Sequence, residues 1–573
     1  MYKEMIEFAR KNNLNPFNKQ KTQLKIKENS IYKTKDARYI HQKTLNKLSE
    51  KFVFVETSNL FKVFHFTEDF KEIKKRQDFF KNINSTNNEF LKQLNTPKQT
   101  WKPKYSIVVV TEDETTFSNL KKLDCPVLYL NSQYDLENLE NYDIIQILDC
   151  EKFTEYLESL PQSIFIHSIE EVYLERYLIQ LSSWKNNLLI LSKNDSNQEI
   201  KNILQELLPL LDLIEEGHLK ILKKEDVENS LEIINSEIEK KIKDTSISGI
   251  TLLTILSKGK IPDDLQDIIK TEIKKTNIPE NIFNITIPVT LDEKELERFI
   301  KINSTNENIN IAEKIKKHSK ELKKVPELLN SLSYNLLVFD FLSGIMQNIK
   351  DKEFPIISEE FSFVESENIF LDKPDPITFY LSENNRCSIL TGANSGGKTT
   401  LLEHIIQLIT IFQLGLPKKN LKIPLFTDVY YFAKSKGVAG KGAFESLLNQ
   451  MDKIKTGKKT LILADEIEAV TEPGIAGKII SATAEFFIKK GCFLVIATHL
   501  GEQIQKSMPE FARIDGIEAK GLNEFYELIV DHNPILGKIA SSTPELIIEK
   551  LASTNKTDYF KFLSEKIKKK END

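Results

Sequence analysis

The sequence has few cysteines, and none lies close to another. Cys125, Cys150, Cys387 and Cys492 form no C-x-x-C pair in 573 residues. That spacing argues against both a zinc site and a disulfide framework. We therefore predict reduced thiols, most of them buried.

Long apolar stretches are also missing. No apolar run approaches the ~18 residues that a membrane-spanning helix requires, and the first ten residues contain acidic residues but no apolar core of a secretory signal. The composition, 40% hydrophobic and 28% charged, is typical of a globular protein. We expect a cytoplasmic protein with no membrane partner.

Charge of one sign does not dominate the chain as a whole, because the net charge is −5, but its distribution is uneven. The first hundred residues contain 21 Lys and Arg against 11 Asp and Glu, whereas residues 101–200 contain 8 against 17. Clustered positive charge is typical of a nucleic-acid partner, because neutralised phosphates release counterions. A general lysine-rich bias with a solvated surface explains the same numbers, and charge alone leaves both interpretations open.

The length predicts about four domains, since one domain has roughly 150 residues. Residues 1–103 have the pattern of a basic, α-rich module. In residues 104–193, short β-rich runs alternate with polar helical segments, which predicts a small α/β domain with a parallel sheet. The predicted strands are Tyr105–Val110, Pro126–Leu130, Tyr142–Leu148, Ser163–His167 and Asn187–Leu191.

Residues 194–350 show apolar positions at three- and four-residue spacing, which predicts long, charged helices. The stretch Asn284–Leu291 interrupts them and predicts a strand or hairpin, with Pro288 suited to a sheet edge. Two helical arms with a β tip and an ordinary helical bundle both fit this periodicity.

The clearest chemical signal begins at Gly392. A short buried strand, Cys387–Thr391, leads into G-x-x-x-x-G-K-T and then into an amphipathic helix, which is the structural context that supports a P-loop. Glycines let backbone amides face phosphates, and the helix start adds positive potential. Lys398 would reach the β- and γ-phosphates of ATP, and the Thr399 hydroxyl would coordinate Mg²⁺. The predicted nucleotide-binding residues are Gly392, Ala393, Asn394, Ser395, Gly396, Gly397, Lys398, Thr399 and Thr400.

Two further strands end in residues that suit ATP hydrolysis. The run Thr460–Ala464 is followed by Asp465 and Glu466; Asp465 is predicted to hold the Mg²⁺ shell, and Glu466 to orient and deprotonate the attacking water. The run Phe493–Thr498 ends at His499, whose imidazole would hydrogen-bond the γ-phosphate. A lone histidine is more often a satisfied core residue, but the order after a P-loop and an Asp-Glu strand favours the functional role.

With these motifs, residues 330–555 resemble the ATPase domain of the MutS family, within the ABC-type ATPases. Gln413 before Gly415, the run Asp465-Glu-Ile467 and the run Ala497-Thr-His499 follow in the family's order, and several segments resemble an archaeal subgroup related to the second MutS lineage. The resemblance implies a multidomain protein in which a helical lever and clamp (194–350) precede an α/β P-loop ATPase domain (351–540) and a helical dimerisation tail (541–573).

The resemblance also implies function. It implies a homodimer in which one subunit's P-loop and the other subunit's signature loop enclose ATP. The signature-loop residues here would be Gly442 and Ser446, and Gln413 would join the nucleotide site. The implied partner is double-stranded DNA, bound without sequence specificity, in recombination or repair.

Two departures from the family pattern qualify these expectations. Gly442 stands where the family has its signature serine, so we expect weaker contact with the facing γ-phosphate and slow hydrolysis. Mismatch recognition in the family uses a Phe-x-Glu motif in an amino-terminal domain. That tripeptide begins here at Phe54, Phe70, Phe153, Phe363 and Phe525, among other positions. So many matches are uninformative, and we expect no mismatch specificity.

Two other functions remain open. One is a ribosome-associated ATPase that acts on stalled ribosomes, since lysine-rich surfaces suit ribosomal RNA as well as DNA. The other is a binding module in which ATP only holds the dimer together, which the missing hydroxyl at Gly442 favours.

Overall fold

The computed structural model divides the chain into two compact units, Met1–Gln93 with Ser333–Asp573, and Leu94–Leu332. The predicted finer boundaries at residues 103, 193, 350 and 540 stay predictions. The structure describes residues 1–20, 30–83, 87–123, 125–216, 222–244, 261–349, 351–392, 396–434, 441–466, 473–522, 528–540, 548, 551–552 and 557–570.

The α-helices of the described residues are numbered in chain order. They are α1 Tyr2–Lys11, α2 Lys35–Leu48, α3 Phe70–Lys81, α4 Glu114–Lys121, α5 Thr154–Ser159, α6 Glu175–Lys193, α7 Gln198–Leu207, α8 Asp212–Glu216, α9 Lys224–Asp244, α10 Asp263–Lys274, α11 Glu293–Lys317, α12 Ser319–Asn348, α13 Lys398–Leu414, α14 Lys441–Asp452, α15 Pro473–Lys489, α16 Gly501–Gln505 and α17 Asp558–Lys570.

The strands form five sheets within the described residues. They are β1 Ile107–Thr111, β2 Val127–Tyr129, β3 Ile144–Ile147, β4 Ser163–Phe165, β5 Phe283–Asn284, β6 Thr290–Leu291, β7 Ile356–Ile357, β8 Phe361–Ser366, β9 Ile377–Leu381, β10 Cys387–Gly392, β11 Leu421–Ile423, β12 Asp428–Phe432, β13 Thr460–Asp465, β14 Phe493–Ala497, β15 Ala512–Ile517, β16 Ala519–Leu522, β17 Leu528–Val530 and β18 Ile535–Leu536.

A sheet in the order β12-β13-β14-β10-β15-β18 forms the centre of the first unit. Its strands are parallel except β18, which runs antiparallel to β15. Leu461 and Leu463 of β13 face one apolar core, and Ile462 and Ala464 face a second one. A sheet covered on both faces explains why these strands are continuous apolar runs rather than alternating ones.

The amino-terminal residues pack on this sheet. Residues 31–33 run beside β12, where Lys33 N donates to Val429 O over 2.9 Å and Val429 N donates to Ile31 O over 2.9 Å. The Tyr32 ring is buried, and its hydroxyl lies 2.7 Å from Thr410 Oγ1 of α13. Ala37 and Ile40 of α2 join the same core as α13. The amino-terminal segment is therefore part of the structural support of the central sheet.

The second unit contains the predicted α/β fold. A parallel sheet in the order β2-β1-β3-β4 confirms the first four predicted strands. The fifth prediction, a strand at Asn187–Leu191, is wrong, because these residues lie near the end of helix α6. Buried Leu181, Trp184, Leu188 and Leu191 repeat at helical spacing, so the apolar run is one face of a helix.

The helical character predicted for residues 194–350 is confirmed where the structure describes them, outside 217–221, 245–260 and 350, and so is the hairpin. β5 and β6 pair antiparallel, with Phe283 opposite Leu291. Pro288 lies in the connection between them, and Asn235 of α9 fixes that connection through Val289, at 2.8 Å to its amide and 3.1 Å to its carbonyl.

Among the described helices, α12 is long and apolar enough to cross a membrane by length and composition alone. However, 72% of its most apolar window is buried inside the protein, as in a core helix. The predicted buried thiols are also found: Cys125, Cys387 and Cys492 are buried, and Cys150 is half-buried.

Candidate nucleotide site

The site lies at the carboxyl ends of three neighbouring strands of the central sheet. Leu390 of β10 and Asp465 of β13 are both register partners of Ala497 in β14. The residues that follow these strands must therefore meet at one edge. That edge is where open parallel sheets bind ligands.

The described glycines at the two ends of the connection from β10 to α13 have backbone angles that would suit a P-loop. Gly392 has φ 132° and Gly397 has φ 91°, both in the region that favours glycine. A Cβ atom on Gly392 would lie 2.4 Å from the carbonyl oxygen of Ile517. Helix α13 then begins at Lys398, with Gly397 at its amino-terminal cap. The predicted residues Ala393, Asn394 and Ser395 lie outside the described residues.

Lys398 and His499 are brought together. The Lys398 side chain is buried, and its Nζ donates to the Gly392 carbonyl over 2.5 Å and lies 3.5 Å from Nδ1 of His499. An ammonium group only donates hydrogen bonds, so Nδ1 is the acceptor of this pair. His499 is then protonated on Nε2, which lies 2.8 Å from Glu466 Oε1 and donates to it.

Asp465 and Thr399 also meet. The Thr399 hydroxyl donates to Asp465 Oδ2 over 2.6 Å, whereas Oδ1 is buried and has no hydrogen-bond partner among the described residues. Burial raises the pKa of Asp465, and the Thr399 hydrogen bond partly opposes that rise. A buried carboxylate oxygen without a partner beside a hydroxyl is the donor set that a hard divalent cation prefers, so these residues fit Mg²⁺.

Glu466 is held by its backbone and by two side chains. It has φ 46°, its amide donates to Ala497 O over 2.9 Å, and its side chain is mostly buried. Oε1 accepts from His499, and Oε2 pairs with the Lys434 ammonium. Burial alone would raise the pKa of Glu466, but Lys434 and His499 together lower it. Glu466 is therefore ionised in this arrangement.

The structure does not bring Gln413 to this site. It lies fifteen residues after Lys398 on α13, which is about 22 Å along a helix. Its amide group bonds to the backbone of Thr67, at 3.2 Å to the nitrogen and 3.3 Å to the oxygen. Gln413 thus secures the amino-terminal segment to α13.

The two signature-loop candidates are placed only by their backbone. Gly442 and Ser446 lie in α14, and nothing is described of the Ser446 side chain. Residues 541–547, where the predicted dimerisation tail begins, lie outside the described residues.

Two residues of the site belong to no recognisable sequence motif. One is Lys434, which follows β12. The other is His532, whose Nδ1 donates to the Gly396 carbonyl over 3.0 Å. A Cβ atom on Gly397 would lie 3.1 Å from the same nitrogen. His532 enters the site because β18 folds back beside β15. Strand pairing of this kind leaves no local pattern in the sequence.

Comparison with known proteins identifies the family. The DNA-binding protein MutS2 of Pyrococcus furiosus is 32% identical over an alignment that covers 90% of this chain and 96% of that protein. The endonuclease MutS2 of Borreliella burgdorferi is 27% identical, over 67% of this chain and 49% of that protein. The DNA mismatch repair protein MutS of Thermotoga petrophila is 27% identical over 45% of this chain and 33% of that protein. No family model matches.

The similarity to the Pyrococcus protein runs through nearly the full length of both chains. It is therefore not confined to a nucleotide-binding segment that unrelated proteins share. This chain belongs to the MutS family, in its second lineage, MutS2.

Proposed function

We propose that this chain is a cytoplasmic, Mg²⁺-dependent ATPase that acts as a homodimer on double-stranded DNA in repair or recombination, without mismatch specificity. The observation that carries the proposal is the meeting of Lys398, Thr399, Asp465, Glu466 and His499 at one edge of the central sheet. Each of these residue types has a defined task in phosphoryl transfer, and each has the neighbour that the task requires.

The proposed binding step uses the start of α13. Its amide groups and positive end potential would hold the phosphates of ATP, and Lys398 would exchange the Gly392 carbonyl for the β- and γ-phosphates. His532 supports the same loop from outside, because its hydrogen bond to Gly396 restrains the glycine backbone. Thr399 and Asp465 would hold Mg²⁺, which neutralises the charge that develops on the transferred phosphoryl group.

The proposed chemical step uses Glu466. The water oxygen attacks the γ-phosphorus as the bond to the oxygen bridging the β- and γ-phosphates breaks, and Glu466 orients the water and accepts its proton. The Nε2–H of His499 donates to Oε1 and fixes the direction of the carboxylate. Once Lys398 moves to the phosphates, Nδ1 of His499 is released from the lysine and, when it carries a proton, can donate to a γ-phosphate oxygen.

The proposed partners come from the relatives and from charge. The Pyrococcus relative is named as a DNA-binding protein, and the first hundred residues have a net positive charge that suits phosphates. The relative's name favours DNA over the ribosome as the partner. The proposed homodimer would place α14, with Gly442 and Ser446, against the nucleotide of the second subunit.

The first test is ATP turnover by purified protein with Mg²⁺. We expect Lys398→Ala and Glu466→Gln each to lower turnover at least about 100-fold, since each removes an interaction with charge that develops in the transition state. Lys92→Ala and Glu89→Gln are matched controls, because these two exposed side chains pair only with each other at 3.7 Å among the described residues. Turnover that both site variants leave unchanged would exclude the proposed mechanism.

The second test separates DNA binding from an ATP-held dimer. Glu466→Gln, loaded with ATP, is mixed with a plain duplex at several salt concentrations, and its mass and DNA affinity are measured. We expect a dimer whose affinity falls steeply with salt. If the Glu466→Gln dimer does not bind DNA at low salt, and if the wild-type protein forms no ADP in a single turnover, ATP only holds the dimer together.

A further inference from the structure

Lys434 lies two positions beyond the end of β12. In the parallel pair β12–β13, Phe432 is the register partner of Ala464. Two residues further along each strand, the pairing leads to Lys434 and Glu466. Strand register therefore delivers the Lys434 ammonium directly to the carboxylate that we propose as the base.

The contact adds Lys434 to a chain of polar groups. Lys398 Nζ meets His499 Nδ1, His499 Nε2 donates to Glu466 Oε1, and Lys434 pairs with Glu466 Oε2. Both carboxylate oxygens are thus engaged by donors. An attacking water must share or displace one of them before Glu466 can accept its hydrogen.

The two donors differ in the side chain that carries them. The His499 ring contacts Lys398 with one nitrogen and Glu466 with the other and is 40% exposed, whereas the Lys434 side chain is 49% exposed and carries its ammonium on a long stem. An exposed ammonium on a long, flexible stem is the donor that can leave at the lower cost. Oε2 is consequently the oxygen that becomes available to the water.

We propose that Lys434 is a positioning residue that restrains the Glu466 carboxylate and so slows ATP hydrolysis in the absence of DNA. The inference rests on the proposed function, because it assigns Lys434 an effect on the same base. Removing the ammonium frees Oε2 and leaves the proposed phosphate-binding groups in place. The rate of the chemical step therefore rises, and the affinity for ATP stays the same.

The test compares Lys434→Met with wild type at saturating ATP and without DNA. The expected kcat rises about threefold to fivefold, which is the scale of one half-exposed ion pair, with KM for ATP within about twofold. Lys434→Arg retains a cation and should turn over at less than half of the Lys434→Met rate. Lys453→Met, which alters an exposed lysine just after the end of α14, is the control for a general effect of lost surface charge.

A double variant shows whether Lys434 acts through Glu466. When Glu466→Gln is already present, adding Lys434→Met should leave the residual rate within about 1.5-fold, because the restrained carboxylate is already gone. An unchanged or lower kcat for Lys434→Met alone, or an equal acceleration when it is added to Glu466→Gln, would overturn the inference. If wild-type protein does not hydrolyse ATP, or does so without Glu466, the proposed function fails instead, so the two failures are distinguishable.

Discussion

At the scale of single residues, Asp340 of α12 shows how one buried side chain connects distant parts of the first unit. Its carboxylate is fully buried and accepts hydrogen bonds from the backbone amides of Val53 and Phe54, from the Thr57 hydroxyl at 2.7 Å and from Asn88 Nδ2 at 2.7 Å. All four partners are donors. Aspartate and asparagine have the same shape, but only the carboxylate of aspartate accepts hydrogen bonds at both terminal atoms.

Asp340→Asn is therefore expected to destabilise the protein by about 3 kcal/mol, because the amide NH₂ must face a donor in either orientation and leaves buried groups unpaired. The measurement is the midpoint of thermal or urea unfolding, read by a signal from the first unit. Asp78→Asn, at an exposed pair with Lys81, serves as the control. Equal midpoints for the two variants would show that the buried network contributes no stability.

The sequence indicated the motif residues that meet at this edge of the central sheet better than it indicated their neighbours, and the reason lies in how each residue reaches that edge. Lys398 and Thr399 belong to one contiguous loop, and Asp465, Glu466 and His499 follow apolar strands, so local patterns reveal them. Lys434 and His532 reach the site through strand register and a returning strand. No short stretch of sequence predicts those long-range strand pairings.

At the scale of secondary-structure elements, the end of α13 is determined by a glycine and a close approach. Gly415 has φ 75°, and a Cβ atom there would lie 2.3 Å from Cβ of Arg76 on α3. Arg76 in turn donates to the Gln413 carbonyl over 2.6 Å. Residue 415 must therefore adopt a left-handed conformation and leave room for α3.

Gly415→Ala is expected to destabilise the protein by more than about 2 kcal/mol, since it adds a clash to the strain of a positive φ. Gly537→Ala separates the two causes, because Gly537 has φ 78° but nothing within 4 Å of its Cβ position among the described residues. We expect about 1 kcal/mol for that variant from conformation alone. The measurement is the unfolding midpoint of each variant. Equal losses of stability in the two variants would mean that α3 moves away from the added methyl group without an energetic cost.

Elements also show where pattern reading fails. The run Leu188–Leu191 has the composition of a short buried strand, yet it belongs to the last turns of α6. Short apolar runs do not distinguish the two states, and only the helical spacing back to Leu181 resolves the choice. The hairpin at Asn284–Leu291 was predictable because β-branched residues and a proline interrupt helical periodicity there.

At the scale of the whole molecule, the first unit is built from two segments far apart in the chain. Residues 31–33 run beside β12, Tyr32 reaches α13, and Gln413 of α13 bonds to Thr67. Asn88 and Asp340 are in direct contact at 2.7 Å, so the ends of the two segments are close to each other. The central sheet thus depends on amino-terminal residues for part of its core.

This arrangement predicts which pieces of the chain fold. Residues 1–93 joined to 333–573 by a flexible linker of about ten Gly and Ser residues, which spans roughly 18 Å, should fold and keep ATP turnover within about tenfold of the full chain. Residues 351–573 alone should lack stable structure, because removing the amino-terminal segment exposes the core residues of α13 that pack against Tyr32 and one edge of β12. Circular dichroism on heating measures the stability of the linked protein and of the 351–573 fragment, and an ATP turnover assay measures the activity of each. A stable, active 351–573 fragment would show that the amino-terminal segment only covers a core that is already complete, whereas an inactive but folded linked protein would assign residues 94–332 a direct part in hydrolysis.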